Sequence, residues 1–309
     1  PLLIYLAAAG IGRIGIVDFD SVEDSNLQRQ VIHNSEWIGK AKTDSAKAQI
    51  IALNPYCKVD IYQTILNEKN ALKIIKPFDL VCDCTDNFPS RYLINDACVI
   101  LGKPNIYGSI SKFEGQSSVF NLNKNSPNYR DLVPEPPPPG LIDSCQEGGV
   151  IGVLPGLIGL IQATEVIKII TGIGKPLDGR ILVINALNMS FKELRLTRNK
   201  DQKRIEKLIN YKEFCSGLDY PESTSLDDLN EISIYEFKKI MKEENKEIYL
   251  LDVRSEKEYK DSAIKDSKCI PLCQIENKEV IDELAKISLK KKIYIYCQSG
   301  KRSKKAVSK

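Results

Sequence analysis

The spacing of apolar positions changes repeatedly along the chain. Leu2 to Ala9 is an apolar run that reads as the end of a buried helix, and Arg13 to Val17 is a short apolar strand stopping at Asp18. Lys40 to Leu53 has helical spacing and ends at Asn54-Pro55, a common stop. Val59 to Gln63 alternates like a strand, Asp79 to Cys84 is a compact apolar strand, and Ser90 to Leu101 is helical again, closed by Gly102. Asn105 to Tyr107 and Ser117 to Leu122 read as strands. This alternation predicts an α/β fold, a parallel sheet covered by helices.

The most apolar stretch, Val150 to Ile173, carries Gln162, Glu165 and Lys168 on one helical stripe, which predicts a buried helix rather than a membrane span. Ahead of it, Pro134 to Gly140 can form neither helix nor central strand and reads as a stiff, extended crossover. From Gly217 to Asp228 the chain turns polar and turn-rich. A second alternation follows: helix over Tyr235 to Lys242, strand over Ile248 to Val253, helix over Val280 to Ile287, and strand over Ile293 to Tyr296 running into Cys297. The pattern therefore predicts one domain over 1–216, a linker over 217–229 and a smaller α/β domain over 230–309. No internal repeat is visible.

Composition narrows the chemistry. The 309 residues carry 44 Lys and Arg against 41 Asp and Glu, a balance too even for a strongly basic nucleic-acid binder. Nine Cys and one His leave little room for a Ser-His-Asp triad or a multi-histidine metal site, so reactivity must rest on Cys, carboxylates, Lys and Arg. The cysteines are scattered and odd in number, which argues against a disulfide framework and for a reducing, cytoplasmic setting. Pro1 is not a start residue and Ala306 to Lys309 stop in what reads as an opening helix, so the chain is expected to be a piece of a longer one.

Three short polar segments follow strand ends: Asp18-Phe19-Asp20, Ser25 to Gln30, and Asp83 to Asn87. Ligands of open α/β sheets sit at the carboxyl ends of the strands, where a carboxylate holds a ribose. Arg29 and Lys42 could neutralise a triphosphate and Asp86 could hold its Mg²⁺. Singly, each has a plainer reading: Asp18 as a turn cap, Arg29 as a surface ion pair, Asp86-Asn87 as a turn. Together, the runs LAAAGIGRIGIVDFDSVEDSNLQRQ, GKAKTDSA, VCDCTDN and EGQSSVF resemble the ubiquitin-activating-type ThiF/MoeB family over residues 1 to about 200.

The resemblance implies a Rossmann-like nucleotide-binding fold that adenylates the C-terminal Gly-Gly carboxylate of a ubiquitin-like sulfur carrier, with ATP and Mg²⁺. It implies that Asp18 holds the ribose, that Asn26 and Arg29 contact the phosphates with Ser25 among the ATP-binding residues, that Lys42 contacts the triphosphate near the reacting phosphorus, and that Asp86 engages Mg²⁺ with Asn87 beside it. It also implies that the family's Gly-rich phosphate loop and an N-terminal helix, which lends an arginine to the neighbouring subunit of a homodimer, would precede Leu2. Many relatives carry two CxxC pairs that close a zinc site. Here the corresponding places hold Asn128 to Asp131 and Lys212 to Cys215, and one thiolate cannot make a Cys₄ site, so no structural zinc is expected. Cys82 and Cys84 share a strand face in an apolar run, and core packing is expected of both. Cys145, behind the proline-rich stretch, stands where the family has a crossover-loop cysteine that forms a thioester or receives sulfur.

The second candidate site is Cys297 to Ser303. A strand ends in a cysteine, and a short turn containing Gln298, Ser299, Gly300, Lys301 and Arg302 leads into a helix, so backbone N–H groups would surround the sulfur and favour a thiolate. From Ala285 to Lys309 there are nine Lys or Arg and no acid. Cysteine phosphatases need five residues between cysteine and arginine; here four separate Cys297 from Arg302, the tighter loop of a sulfurtransferase. With Leu251 to Ser255 and Glu258-Tyr259 upstream, residues 230 to 309 resemble a rhodanese domain, which implies a persulfide on Cys297 and a structural Asp252–Arg254 pair.

The fusion resembles two-domain adenylyltransferase/sulfurtransferase proteins. It implies a carrier thiocarboxylate as product and thiosulfate or a cysteine desulfurase persulfide as sulfur donor, without nucleic acid or membrane as partner. A nicotinamide oxidoreductase would also place Asp18 at a strand end but leaves Asn26 to Arg29, Lys42 and Cys297 without a role. A non-catalytic, protein-recruiting homologue is the other alternative.

Overall fold

The computed structural model describes residues 1–137, 149–201, 205–216, 232, 237, 240, 248–275, 277–288, 291–297 and 300–307. The chain divides into two compact units, Pro1–Asp219 and Tyr220–Lys309. The expected linker over 217–229 lies outside the described residues, as do Cys145, Gln298 and Ser299.

The first unit opens with α1 (Leu2–Ala8), β1 (Arg13–Val17), α2 (Lys42–Leu53), β2 (Lys58–Tyr62), α3 (Ala71–Ile75), β3 (Val81–Asp83) and α4 (Phe88–Leu101). It continues with β4 (Asn105–Ser111), β5 (Glu114–Phe120), α5 (Tyr129–Leu132), α6 (Leu154–Thr171), β6 (Arg180–Asn185), β7 (Ser190–Arg195) and α7 (Tyr211–Ser216). The punctuation is local chemistry. Asn87 caps α4 by accepting the Ser90 N–H at 2.9 Å, and Gly102 ends it at a φ of +64°. Gly15 is required on β1 because a Cβ there would lie 2.4 Å from the Phe78 ring.

The parallel sheet expected from the alternation is only partly present. β1 pairs β2 and β3 pairs β4 in parallel, but β4 to β7 run antiparallel in the order β3-β4-β5-β6-β7. The cause lies in the connections. Only Lys112 and Phe113 join β4 to β5, and only Ala186 to Met189 join β6 to β7. Such turns reverse the chain, whereas a parallel neighbour needs a crossover of about a dozen residues. Both sheets nevertheless share one core of Leu6, Ile14, Val59, Ile106, Val119 and Val166.

Helix α6 covers this core. By length and composition it could cross a membrane. Its buried polar residues are satisfied inside the unit: Gln162 donates to the Asp83 and Ile106 carbonyls at 2.9 and 3.0 Å, and Glu165 accepts the Leu177 N–H at 2.8 Å while pairing with Lys168. Cys82 packs against the core as expected, but Cys84 is exposed, its thiol 3.5 Å from the Gln162 side-chain oxygen. β3 ends at Asp83, so Cys84 lies just past the strand, its thiol turned toward the buried Gln162 of α6.

The second unit contains β8 (Ile248–Asp252), α8 (Glu256–Asp261), β9 (Lys268–Cys269), α9 (Leu272–Ile275), α10 (Lys278–Ser288), β10 (Lys292–Tyr296) and α11 (Lys301–Val307). Its parallel sheet runs β10-β8-β9. Phe237 and Ile240, within the helix expected over 235–242, are helical, and the Phe237 ring lies 5.4 Å from that of Tyr294.

The two places where cysteine pairs were sought hold a different fastening. Arg130 on α5 forks onto Asp96 of α4 at 2.9 and 2.8 Å, and the Tyr211 hydroxyl of α7 donates to the same carboxylate at 2.8 Å. The Arg130 guanidinium lies between the Tyr92 and Phe214 rings, 4.9 and 4.8 Å from their centroids. Cys215 is half-buried beside it, and burial pushes its thiol up to about 11. Among the described residues, no group of three or more His, Cys, Asp or Glu is placed to hold a metal. The fastening predicts that Arg130→Met, which strands a buried carboxylate, costs about 3 kcal/mol in urea unfolding. Chelator treatment should leave the melting temperature of the wild-type chain unchanged.

Candidate functional sites

The first site forms where β1 runs out. The Asp18 N–H is bonded to the Tyr62 carbonyl at 3.2 Å, and the Asp18 carboxylate accepts the Asp20 N–H at 2.9 Å. Lys42, at the start of α2, is held twice by Asp20: its N–H by the Asp20 carbonyl at 3.0 Å and its Nζ by the Asp20 carboxylate at 2.9 Å. Burial raises the Asp18 carboxyl pKa, opposed by the Asp20 N–H and by Lys42. Asp18, Asp20 and Lys42 therefore form one cluster, separated by 24 residues of sequence and assembled by the bridges Ser21 to Ala41 and Val22 to Ile38.

The Ser25 to Gln30 segment is folded on itself. Asn26 is buried and accepts the Glu23 N–H at 3.2 Å, the Ser25 hydroxyl donates to the Glu23 carboxylate at 3.2 Å, and Arg29 donates to the Ser25 carbonyl at 3.0 Å. A Cβ on Gly152 would lie 2.4 Å from the Gln28 carbonyl oxygen, so this segment packs tightly against the approach to α6. Asp86 is an exposed carboxylate beyond β3, and Asn87 donates to it at 3.3 Å while capping α4. Arg29 and Asp86 are held by their own neighbours, not by Lys42.

Three residues that the sequence reading left unassigned support this site. Arg91 is buried and grips the Thr85 carbonyl with Nε and Nη2 at 3.3 and 3.1 Å, and Asp83 accepts both the Thr85 N–H and hydroxyl at 2.9 and 2.7 Å. Together they brace the loop that carries Asp86. His33, the single histidine, sits 2.9 Å from the buried Ser45 hydroxyl. Burial, then the charge of Lys42, holds its pKa below the usual value, so at neutral pH it adds no positive charge. A lone histidine has no spacing partner, and nothing in the sequence marks it.

The second site forms where β10 runs out. The Cys297 sulfur lies 3.4 Å from the Ser303 N–H and 3.6 Å from the Ser303 hydroxyl, which donates to the Gly300 carbonyl at 2.9 Å. Gly300 has a φ of +81°, which turns the loop and favours glycine there. Lys301 opens α11. Arg302 forks onto Glu258 at 2.8 and 2.7 Å. Asp252 and Arg254 are both buried and form a bidentate pair, with Arg254 Nη2 at 2.7 Å from Asp252 and at 2.6 Å from the Ser262 carbonyl. Burial alone would raise the Asp252 pKa; the bonds from Arg254 and Tyr296 outweigh it and hold the carboxyl below its usual range.

Comparison with known proteins covers both units. Residues 1–205 match the ThiF family and residues 233–309 the rhodanese-like domain. The probable adenylyltransferase/sulfurtransferase MoeZ of Mycobacterium tuberculosis is 42% identical over 313 residues, covering 100% of this chain and 78% of that protein. The sulfur carrier protein adenylyltransferase of Thermus thermophilus is 47% identical over 70% of this chain and 83% of its own. The adenylyltransferase and sulfurtransferase MOCS3 of Drosophila virilis is 36% identical over 99% and 70%. A crystal structure of E. coli MccB with ATP superposes with a TM-score of 0.58 at 20% identity, covering 66% of this chain and 62% of that one, and supports the fold alone. The chain belongs to the ThiF family and, with its rhodanese-like second domain, to the enzymes that join an adenylyltransferase to a sulfurtransferase.

Proposed function

We propose that the first unit adenylates the C-terminal glycine carboxylate of a ubiquitin-like sulfur carrier and that the second supplies the sulfur that converts it to a thiocarboxylate. The observation that carries the first half is the Asp18–Asp20–Lys42 cluster at the end of β1. A carboxylate attacking the α-phosphorus of ATP is one anion approaching another, so catalysis rests on a cation fixed in position. Lys42 is such a cation: its side chain is only 12% exposed and is tethered by Asp20. Asp18 suits a ribose hydroxyl, and Arg29, Ser25 and Asn26 suit the phosphates. Asp86, a solvent-facing carboxylate, fits a Mg²⁺ that takes one or two carboxylates with phosphate oxygens and water, and a bound ion there would draw charge from the phosphates.

The carrier oxygen bonds to the α-phosphorus as pyrophosphate leaves. The outer sulfur of a Cys297 persulfide then attacks the acyl carbon and AMP departs, leaving the carrier joined to Cys297 through two sulfurs. A second thiol attacks the Cys297 sulfur, which releases the thiocarboxylate and leaves a disulfide for an external dithiol to reduce. Cys145 suits that step by its sequence setting. The chain then acts in a reducing, cytoplasmic compartment, as a homodimer through its first unit, with thiosulfate or a desulfurase persulfide as sulfur source.

Pyrophosphate exchange into ATP should require a carrier ending in Gly-Gly and fall roughly 10²- to 10³-fold in Lys42→Ala. Exchange without any carrier dependence would count against the reading. Cys297→Ala should abolish sulfur transfer from thiosulfate to cyanide and leave the exchange intact. In Cys145→Ala, mass spectrometry of the carrier should show the adenylate formed and the sulfur-for-oxygen product diminished.

A further inference from the structure

The two motifs of the second unit are joined by a contact that neither one reveals by itself. Both oxygens of Glu258 are taken by Arg302, at 2.7 and 2.8 Å. The same carboxylate also accepts the Ser255 N–H at 2.9 Å and the Ser255 hydroxyl at 2.7 Å, as the capping box of α8. Glu258 is thus fixed from the side of β8 by Ser255, the residue that follows the buried Asp252–Arg254 pair directly. On the other side, Arg302 directly precedes Ser303, whose N–H and hydroxyl face the Cys297 sulfur. A continuous path of bonds runs from the end of β8 to the reactive sulfur at the end of β10.

Resting on the sulfurtransferase reading, we propose that Glu258 is a positioning and specificity-setting residue for Cys297. It orients Arg302 and with it the turn that presents Ser303 to the sulfur, and it offsets the Arg302 charge in a loop that receives an anionic sulfur donor. The side chains are 25% and 36% exposed, so the pair adds little to stability, and its effect lies in geometry and local charge. A bidentate arginine–carboxylate fork is directional, which a single ammonium contact is not. Glu258 neutralises Arg302, so removing its charge leaves an uncompensated cation on the residue next to Ser303, which favours the thiolate and strengthens the attraction for a dianion.

The test uses the full chain and two variants. Glu258→Gln removes the charge but keeps an acceptor for the Ser255 N–H. Glu258→Asp keeps the charge and withdraws the fork. Peptide-resolved alkylation of Cys297 by iodoacetamide across pH reads the thiol directly, and thiosulfate-to-cyanide transfer reads kcat and KM. Glu258→Gln should shift the alkylation midpoint to lower pH, lower the thiosulfate KM several-fold and lower kcat. Glu258→Asp should lower kcat with the alkylation midpoint unmoved. The kcat losses of Glu258→Gln and Arg302→Gln should not add. A Glu258→Gln protein with wild-type alkylation, KM and kcat overturns the proposal. If that variant fails to fold, an unchanged kcat in Glu258→Asp overturns it instead. A wild-type chain with no transfer to cyanide would sink the sulfurtransferase reading, and the alkylation profiles would still decide the role of Glu258.

Discussion

Like charges must be brought together in both halves of this protein, and the placement of compensating cations constrains everything around them. Two unit charges 4 Å apart repel by about 4 kcal/mol in a partly screened protein environment. A flexible surface lysine would lose much of its effect to solvent and to its own rotamer entropy. Lys42 avoids both because Asp20 holds it by the backbone and by the side chain. The fold serves that tether: β1 ends at Val17, the bridge from Ser21 to Ala41 closes the intervening excursion, and α2 begins at Lys42.

Four of the ion pairs fall into two kinds. Arg130–Asp96 and Arg254–Asp252 leave their carboxylates 2% and 0% exposed, and each carboxylate has further hydrogen-bond donors. Removing one partner of such a pair strands a desolvated charge, which makes the pair a fastening. Lys42–Asp20 and Arg302–Glu258 leave their carboxylates 48% and 36% exposed. Water reaches these carboxylates, so each can orient its cation without stranding a buried charge if the pair is lost. Among these four pairs, exposure of the carboxylate, more than distance, separates fastening from working site.

Much of this was legible in the sequence because it depends on local order. The first five strands were visible as short apolar or alternating runs, and α6 as a long apolar one whose Gln162, Glu165 and Lys168 marked a buried helix rather than a membrane span. Cys297 was marked by its strand, its Gly300 turn and its surrounding cations. The sheet direction after β4 was not legible, because Lys112-Phe113 carries no residue that declares a tight turn, although Lys112 adopts a φ of +50°. The exposure of Cys84, just past the end of β3 at Asp83, had no signal in the local sequence.

The contacts that the sequence did not show have one physical origin. Arg130 lies 34 residues from Asp96 and 84 from Phe214, and Arg302 lies 44 residues from Glu258. Charged side chains at such separations carry no periodicity, so each reads alone as a solvated surface residue. Arg302 was read as part of the sulfur cradle because it follows Cys297 closely. Its guanidinium is also matched to a carboxylate on another element, and Ser303 brings its N–H and hydroxyl to the sulfur. Spacing along the chain identified the reactive cysteine; which charges bear on it was settled by the packing of α8 against the loop, and that packing converts two separate motifs into one site.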